Sequence, residues 1–441
     1  MKTLRLSILF LFGFLFCFAQ GGLSRPPEVS VISYDVNAAI HTLDSAVDVS
    51  LVCELQKSDT VSHIKFLFNP IARVQSIQYH TKGGWRDITF EFAGTETLRL
   101  QLPFEARRIE SLRIKFVYGF PITPQGDTLL ILDRGNRWYP LIVDQIANFR
   151  LTVEMPRRYT AVSAGNLLES ETLGDRSRSV WQSAQPVFKL PLIVFRSDVF
   201  TITSGECAGK TILLYSYRND TLKAAQILAE AKNVFTFFTN YIGEYPHSRL
   251  ALIEVPGFDG INIGSGVLTV GSSSVDQMKR GNYDALYLTI AQQWIGAGVF
   301  AKFGEPGFWF LSLSVPHYLR LMYVRQTKGE EAFDEAMQRP LVKYREFAGK
   351  DNDIPIIAVD FPNSKEKGLV LYAKGPFVIS KIHKQMGEQR WGSFSRDLYN
   401  NFRGRILAYD EFQDCISKHD TNGGTLALLN RLMTQKGMPE E

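Results

Sequence analysis

The chain has 441 residues, of which 45% are hydrophobic and 21% charged, the balance of an ordinary globular protein of two or more domains. Its 49 lysines and arginines against 45 acids leave a net charge of +4. The two signs are interspersed, which points away from a nucleic-acid or membrane-surface patch.

The first element in chain order is the N-terminus, MKTLRLSILFLFGFLFCFAQ. Lys2 and Arg5 precede an apolar run over 6–19, and Cys17-Phe18-Ala19 supplies a small-residue cleavage site. This pattern predicts a signal peptide over 1–19 and a secreted, periplasmic or cell-envelope product. The run is short for a transmembrane span. An uncleaved N-terminal anchor is the alternative. A lipoprotein is disfavoured, because Leu15-Phe16-Cys17 lacks the small residue expected before a lipidated cysteine. No later stretch is long enough to span a membrane. Cleavage leaves Cys53, Cys207 and Cys415, which are odd in number, far apart and free of any Cys-x-x-Cys pair. They read as small buried residues rather than a disulfide framework.

Residues 28–203 read as strands. VSVISYDVNAAI, AVDVSLVCEL, SHIKFLFN, SLRIKFVYGF, NFRLTVEMP and LPLIVFRSDVFTIT are rich in β-branched and aromatic residues, and turn clusters such as TKGG, TPQGD and SAGN separate them. Near residue 205 the pattern changes. TLKAAQILAEAKNVFTFFTNYIG (221–243) repeats apolar residues at helical spacing and stops on Gly243. SRLALIEVPGFDGINIGSGVLTVG reads as a strand and a glycine-rich turn. From Tyr283 onward helices dominate: DALYLTIAQQWIGAGVF, FWFLSLSVPHYLRLMYVRQTKG, EEAFDEAMQRPLVKYREFAG, GLVLYAKGPFVISKIHKQMG and EQRWGSFSRDLYNNFRG. The fold class expected is α+β. A large antiparallel β domain over 27–204 is followed by a mostly helical domain over 205–441.

Several strings, in order, resemble the membrane alanyl aminopeptidase family, the gluzincin zinc aminopeptidases. FVYGFPI (116–122), RWYPLIVDQIANFRLTVEMPRRYTAVSAGNLL, Trp181 with KLPLIVF, YIGEYPHSRLALIEVPGF and YAKGPFVISKIHKQMGEQRW all match family stretches. The resemblance covers nearly the whole chain after the leader. It implies a β-rich N-terminal domain and a thermolysin-like peptidase domain.

The resemblance also implies a zinc site, and here the sequence departs from the family. A catalytic zinc site of this type uses two histidines and one carboxylate, with an open position for water. Aligning Gln293-Trp294-Ile295-Gly296 with the family's Gln-Trp-aromatic-Gly places the first histidine at Leu288, the general-base glutamate at Thr289 and the second histidine at Gln292. Leucine has no ligand atom, threonine is no base near neutral pH, and a glutamine amide is a poor zinc ligand. The third ligand falls at Leu313 when FLSLSVPHYL is matched to the family helix. Counting from Gln292 with the family's spacing gives Leu311, also a leucine. The amine-anchoring glutamate corresponds to Asn262. Tyr372 in YAKG matches the tyrosine that stabilises the tetrahedral intermediate, and it has no metal-bound chemistry left to assist.

No other catalytic set stands out. Among His41, His63, His80, His247, His317, His383 and His419 no two are four apart, so no helical metal pair exists. NIGSGV around Ser265 lacks the nucleophile-elbow spacing, and GSGVLTVG is no phosphate loop. His317, beside Tyr318, reads as a satisfied, partly buried histidine. The sequence therefore points to an exported, metal-free pseudopeptidase that acts as a peptide- or protein-binding or scaffolding module, with the cleft between its domains as the place for a partner. An active zinc metallo-aminopeptidase with atypical ligands is the alternative, and an enzyme of another class using that cleft is a third. Zinc is expected only under the active reading.

Overall fold

The computed structural model describes residues 28–42, 46–124, 128–217, 221–258, 260–421 and 423–438. The leader expected over 1–19 lies outside the described residues. Among those described, no helix is long and apolar enough to cross a membrane. Cys53, Cys207 and Cys415 are free and buried.

The chain forms two compact units. Among the described residues, one comprises those up to 205 with 209–228 and 247–276, and the other 206–208, 229–246 and those from 277 onward. The sequence places the domain boundary at 204/205, whereas packing groups 209–228 and 247–276 with the β-rich unit.

The β-rich unit is built on an eight-stranded sheet that has Val29–Ile40 and Ala46–Lys57 at its centre. In Ala46–Lys57 the residues Val47, Val49, Leu51, Cys53 and Leu55 are all buried, the period-two burial of a strand with one face on the core. The pairing is antiparallel except between Val29–Ile40 and Asn148–Pro156, which run parallel. That pairing sets Tyr34 against Phe149, and the two rings stack at 5.1 Å.

A five-stranded sheet in the same unit contains Phe200–Cys207, Lys210–Tyr217, Arg249–Val255, Val267–Gly271 and, at the edge, Ile261–Gly264. Its interior pairs are parallel. Six of the seven residues of Arg249–Val255 are buried, as expected for a strand covered on both faces. The stretch read from sequence as one strand and a turn is thus three strands, and Lys210–Tyr217 is a fourth that the sequence reading passed over.

The second unit is helical. Asp284–Ala291 packs against Val315–Arg345, which in turn packs against Gly375–Met386. Val315–Arg345 breaks direction at Gly329, whose φ of 87° is open to glycine at little cost. This break separates the two helices that the sequence predicts there. Two π-helical turns, Phe310–Ser314 and Val370–Lys374, feed the N-termini of the second and third of these helices. They lie side by side: Ser314 Oγ donates to the Leu371 carbonyl at 2.8 Å. A Cβ on Gly375 would sit 2.6 Å from the Ser314 Cβ, so glycine is required at this close approach. The fold class is therefore the mixed α+β arrangement expected, with a β-rich N-terminal region and a helical C-terminal one.

Candidate functional site

The Asp284–Ala291 helix carries the first positions at issue. The Asn282 side-chain oxygen accepts from Asp284 N–H at 3.2 Å, and Asp284 places negative charge at the helix start, where the dipole favours it. Leu286, Tyr287, Ile290 and Ala291 bury one side. The Gln-Trp pair that follows is structural. Trp294 Nε1 donates to the Gly243 carbonyl at 2.8 Å, and its ring meets Phe235, Phe238 and Tyr245 at 5.3, 5.6 and 5.4 Å. The Tyr245 hydroxyl donates to Gln293 Oε1 at 3.1 Å.

The helix stops at Ala291, short of the span the sequence suggests, with Gln292 as its C-cap. Gln292 N–H still donates to the Leu288 carbonyl at 3.0 Å. Leu288 and Gln292, the two positions aligned with the family's histidines, therefore stack i,i+4 on one face. Leu288 is half-buried and Gln292 is buried. Gln292 Oε1 has no hydrogen-bond partner among the described residues. Thr289, at the general-base position, is buried, and its hydroxyl is turned into its own helix, 2.6 Å from the Ala285 carbonyl and 3.1 Å from that of Leu286.

Leu311 and Leu313 both lie in the Phe310–Ser314 π turn and are 2% and 4% exposed. Either choice of register therefore puts a buried leucine at the third ligand position. Tyr372 sits in the neighbouring π turn. Its ring lies edge-on to His317 at 5.6 Å, and burial pushes its hydroxyl up to about 12, well out of reach of ionisation at neutral pH. Asn262 lies in the first unit, on the edge strand of the five-stranded sheet. Its Nδ2 donates to Asp133 Oδ2 at 3.0 Å, and its Oδ1 accepts from Lys189 Nζ at 3.3 Å. The anchor position is thus spent on intramolecular partners.

The family's zinc does not fit these residues. Positions 288, 311 and 313 offer no lone pair, and position 292 offers only an amide. Among the described residues, no cluster of three or more histidines, cysteines or carboxylates stands close enough to hold a metal.

The second unit instead holds a cavity of about 290 Å³ against Leu288, lined also by Asp284, His317, Arg320 and Arg339. Arg320 is nearly fully buried. Its Nη1 meets Asp284 Oδ1 at 3.0 Å and its Nη2 meets His317 Nε2 at 3.1 Å. Burial and the neighbouring guanidinium hold His317 well below the usual imidazole range, so it is neutral at pH 7. The expectation of a satisfied His317 is half met: Nε2 is engaged, and the buried Nδ1 has no partner among the described residues. No serine, cysteine, threonine or lysine lines this cavity. Arg320 and Arg339 were missed in the sequence. The available signal was a lone arginine inside the apolar run HYLRLMYV.

No protein-family model and no curated protein matches the sequence. Solved structures do resemble the fold. An M1 zinc metallopeptidase from Deinococcus radiodurans superposes with a TM-score of 0.72 at 14% identity, over 94% of this chain and 95% of that one. A mutant of that enzyme bound to a Tyr-Ser-Ala substrate gives 0.74 at 14% identity, over 94% and 96%. A two-domain M1 zinc metallopeptidase mutant bound to L-tryptophan gives 0.74 at 14% identity, again over 94% and 96%. The chain therefore has the two-domain fold of M1 zinc metallopeptidases.

Proposed function

We propose that this chain is an exported, aminopeptidase-like protein that has kept the peptidase fold without its zinc chemistry and acts as a peptide- or protein-binding module. The reading rests on the alignment through Gln293-Trp294, which sets Leu288, Thr289, Gln292 and Leu313 against the family's three ligands and general base, and on the chemistry of those side chains, none of which is a histidine or a carboxylate. Water activation in this class needs the metal to lower the pKa of water and a carboxylate to take the proton. Thr289 supplies neither, because its hydroxyl hydrogen-bonds to its own helix. Leucines at former ligand positions also remove polar groups that would otherwise need partners in the core. Tyr372 is then an idle survivor that packs on His317.

The test is metal content and hydrolysis measured together. Purified chain lacking residues 1–19, dialysed against a modest zinc excess, should hold no stoichiometric zinc and should not cleave amino-acid anilides. About one tightly held zinc per chain with chelator-sensitive turnover would establish the opposite reading, an active metallo-aminopeptidase with atypical ligands.

A further inference from the structure

Three buried side chains of the second unit, Lys374, Asp353 and Tyr344, converge on the main chain of residues 435–437. Helix Gly424–Thr434 ends at its C-cap Gln435, and the chain runs on through Gly437. Lys374 is fully buried, and its Nζ donates to the Gln435 carbonyl at 2.6 Å, its one hydrogen bond among the described residues. Asp353, also fully buried, accepts from Gly437 N–H at 2.6 Å and from Gly349 N–H at 2.8 Å. The Tyr344 hydroxyl stands 3.0 and 3.1 Å from the two Asp353 oxygens and 3.1 Å from the Gly437 carbonyl, with one proton to share among them. Lys374 closes the π turn Val370–Lys374, which carries Tyr372 and accepts a hydrogen bond from Ser314 of the neighbouring turn. The segment 435–437 is thus fastened to the end of that turn.

An ammonium has three protons to donate, and Lys374 is left with one acceptor. Two titratable groups face it. Asp353, from the loop after Val315–Arg345, favours the charge. Tyr344, from that helix, turns its ring toward Nζ at 5.8 Å, and burial holds its hydroxyl far above the ordinary tyrosine range, so it stays neutral. Lys436, inside the segment, is exposed. Burial outweighs Asp353 and holds Lys374 down to about 8. When the segment lifts, the ammonium meets water and regains the ordinary lysine value of 10.5. Between those two values, opening takes up a proton. We propose that residues 435–437 form a proton-linked latch on the π turn that carries Tyr372, released with protonation of Lys374 and closed more firmly as the medium turns alkaline.

Trypsin cleavage after Lys436 reads the open state, because native-state proteolysis follows its population when closing is fast. Loss of residues 437–441 from the purified chain is followed by intact mass. Each rate is divided by that of a free peptide of sequence 432–441, which cancels the protease's own pH dependence. The relative rate should fall about fifteenfold from pH 8 to 9.5, as expected for one lysine moving between about 8 and 10.5. Lys374→Met should remove the fall. Tyr344→Phe keeps the lysine and takes one hydroxyl from the latch, so it should raise the rate about two- to tenfold at every pH with the fall intact. In the same variant, hydrogen exchange at pH 7.5 should rise in 370–374 together with 435–437 and stay unchanged in 388–402. A segment that resists cutting at every pH, a relative rate flat with pH, a Lys374→Met profile like the parent's, or an unmoved 370–374 would overturn the latch.

Discussion

Installing the family's ligand set at the aligned positions should convert this chain into one whose stability depends on metal. The variant is Leu288→His, Thr289→Glu, Gln292→His and Leu313→Glu together. Thr289, Gln292 and Leu313 are 3%, 5% and 4% exposed, so three of the new groups start buried. Each buried polar group without a partner costs about 1–3 kcal/mol. Removing the buried Leu313 side chain forfeits about 1.5–3 kcal/mol more. The sum is of the same order as a domain's whole stability of about 5–15 kcal/mol, so the metal-free variant should be close to unfolding. Structural zinc sites return about 10–16 kcal/mol on binding, enough to outweigh that penalty. Unfolding curves with zinc and with chelator, beside elemental analysis, read the effect. The variant should melt far below the parent in chelator, recover in zinc and hold about one zinc per chain. Thr289→Glu alone should gain neither metal nor activity. If the folded quadruple variant takes up no zinc, and one with Leu311→Glu in place of Leu313→Glu does not either, the assignment of these helices to a former metal site is wrong.

Three other outcomes follow from particular contacts. Alanine is the better helix former by about 1 kcal/mol, yet Gly375→Ala should destabilise, because the Ser314 Cβ lies 2.6 Å from the added methyl and overpacking costs about 1–3 kcal/mol or more. Adding Ser314→Gly should restore much of the loss, and a neutral single variant in denaturant unfolding would contradict the packing described. Lys374 is fully buried and held down to about 8, chiefly by burial, so the folded chain binds fewer protons than the unfolded one from pH 8 to 10.5. Stability should therefore rise with pH across that window, by roughly 3 kcal/mol if complete. Lys374→Met should flatten the rise between pH 8 and 9.5, before tyrosines ionise, and an unchanged slope would refute the assignment. Export should leave a mature chain beginning close after Ala19, and N-terminal sequencing that finds Met1 on cytoplasmic protein would rule this out.

The strands of the β-rich unit were legible where burial alternates, as in Ala46–Lys57, because one face meets the core and the pattern is local. The parallel pairing of Val29–Ile40 with Asn148–Pro156 was not, since nothing in either string names a partner so distant in sequence. The Arg249–Val255 region was under-read because a strand buried on both faces loses its alternation. At the candidate site, the Gln293-Trp294 string singled out positions 288, 289 and 292, because Trp294 has a packing role that keeps the string recognisable. The cavity was not legible. Arg339 and Arg320 share it only because the chain turns at Gly329, and helical periodicity carries no record of where a helix bends back.

The aromatic seat of Trp294 sets how this unit answers to its surroundings. A helix clamped by a bound ion is stabilised by an amount that rises with the logarithm of free ion concentration. Here Trp294 wedges among Phe235, Phe238 and Tyr245 and donates to Gly243, all within one chain. That clamp contains no concentration variable. It weakens with denaturant or heat.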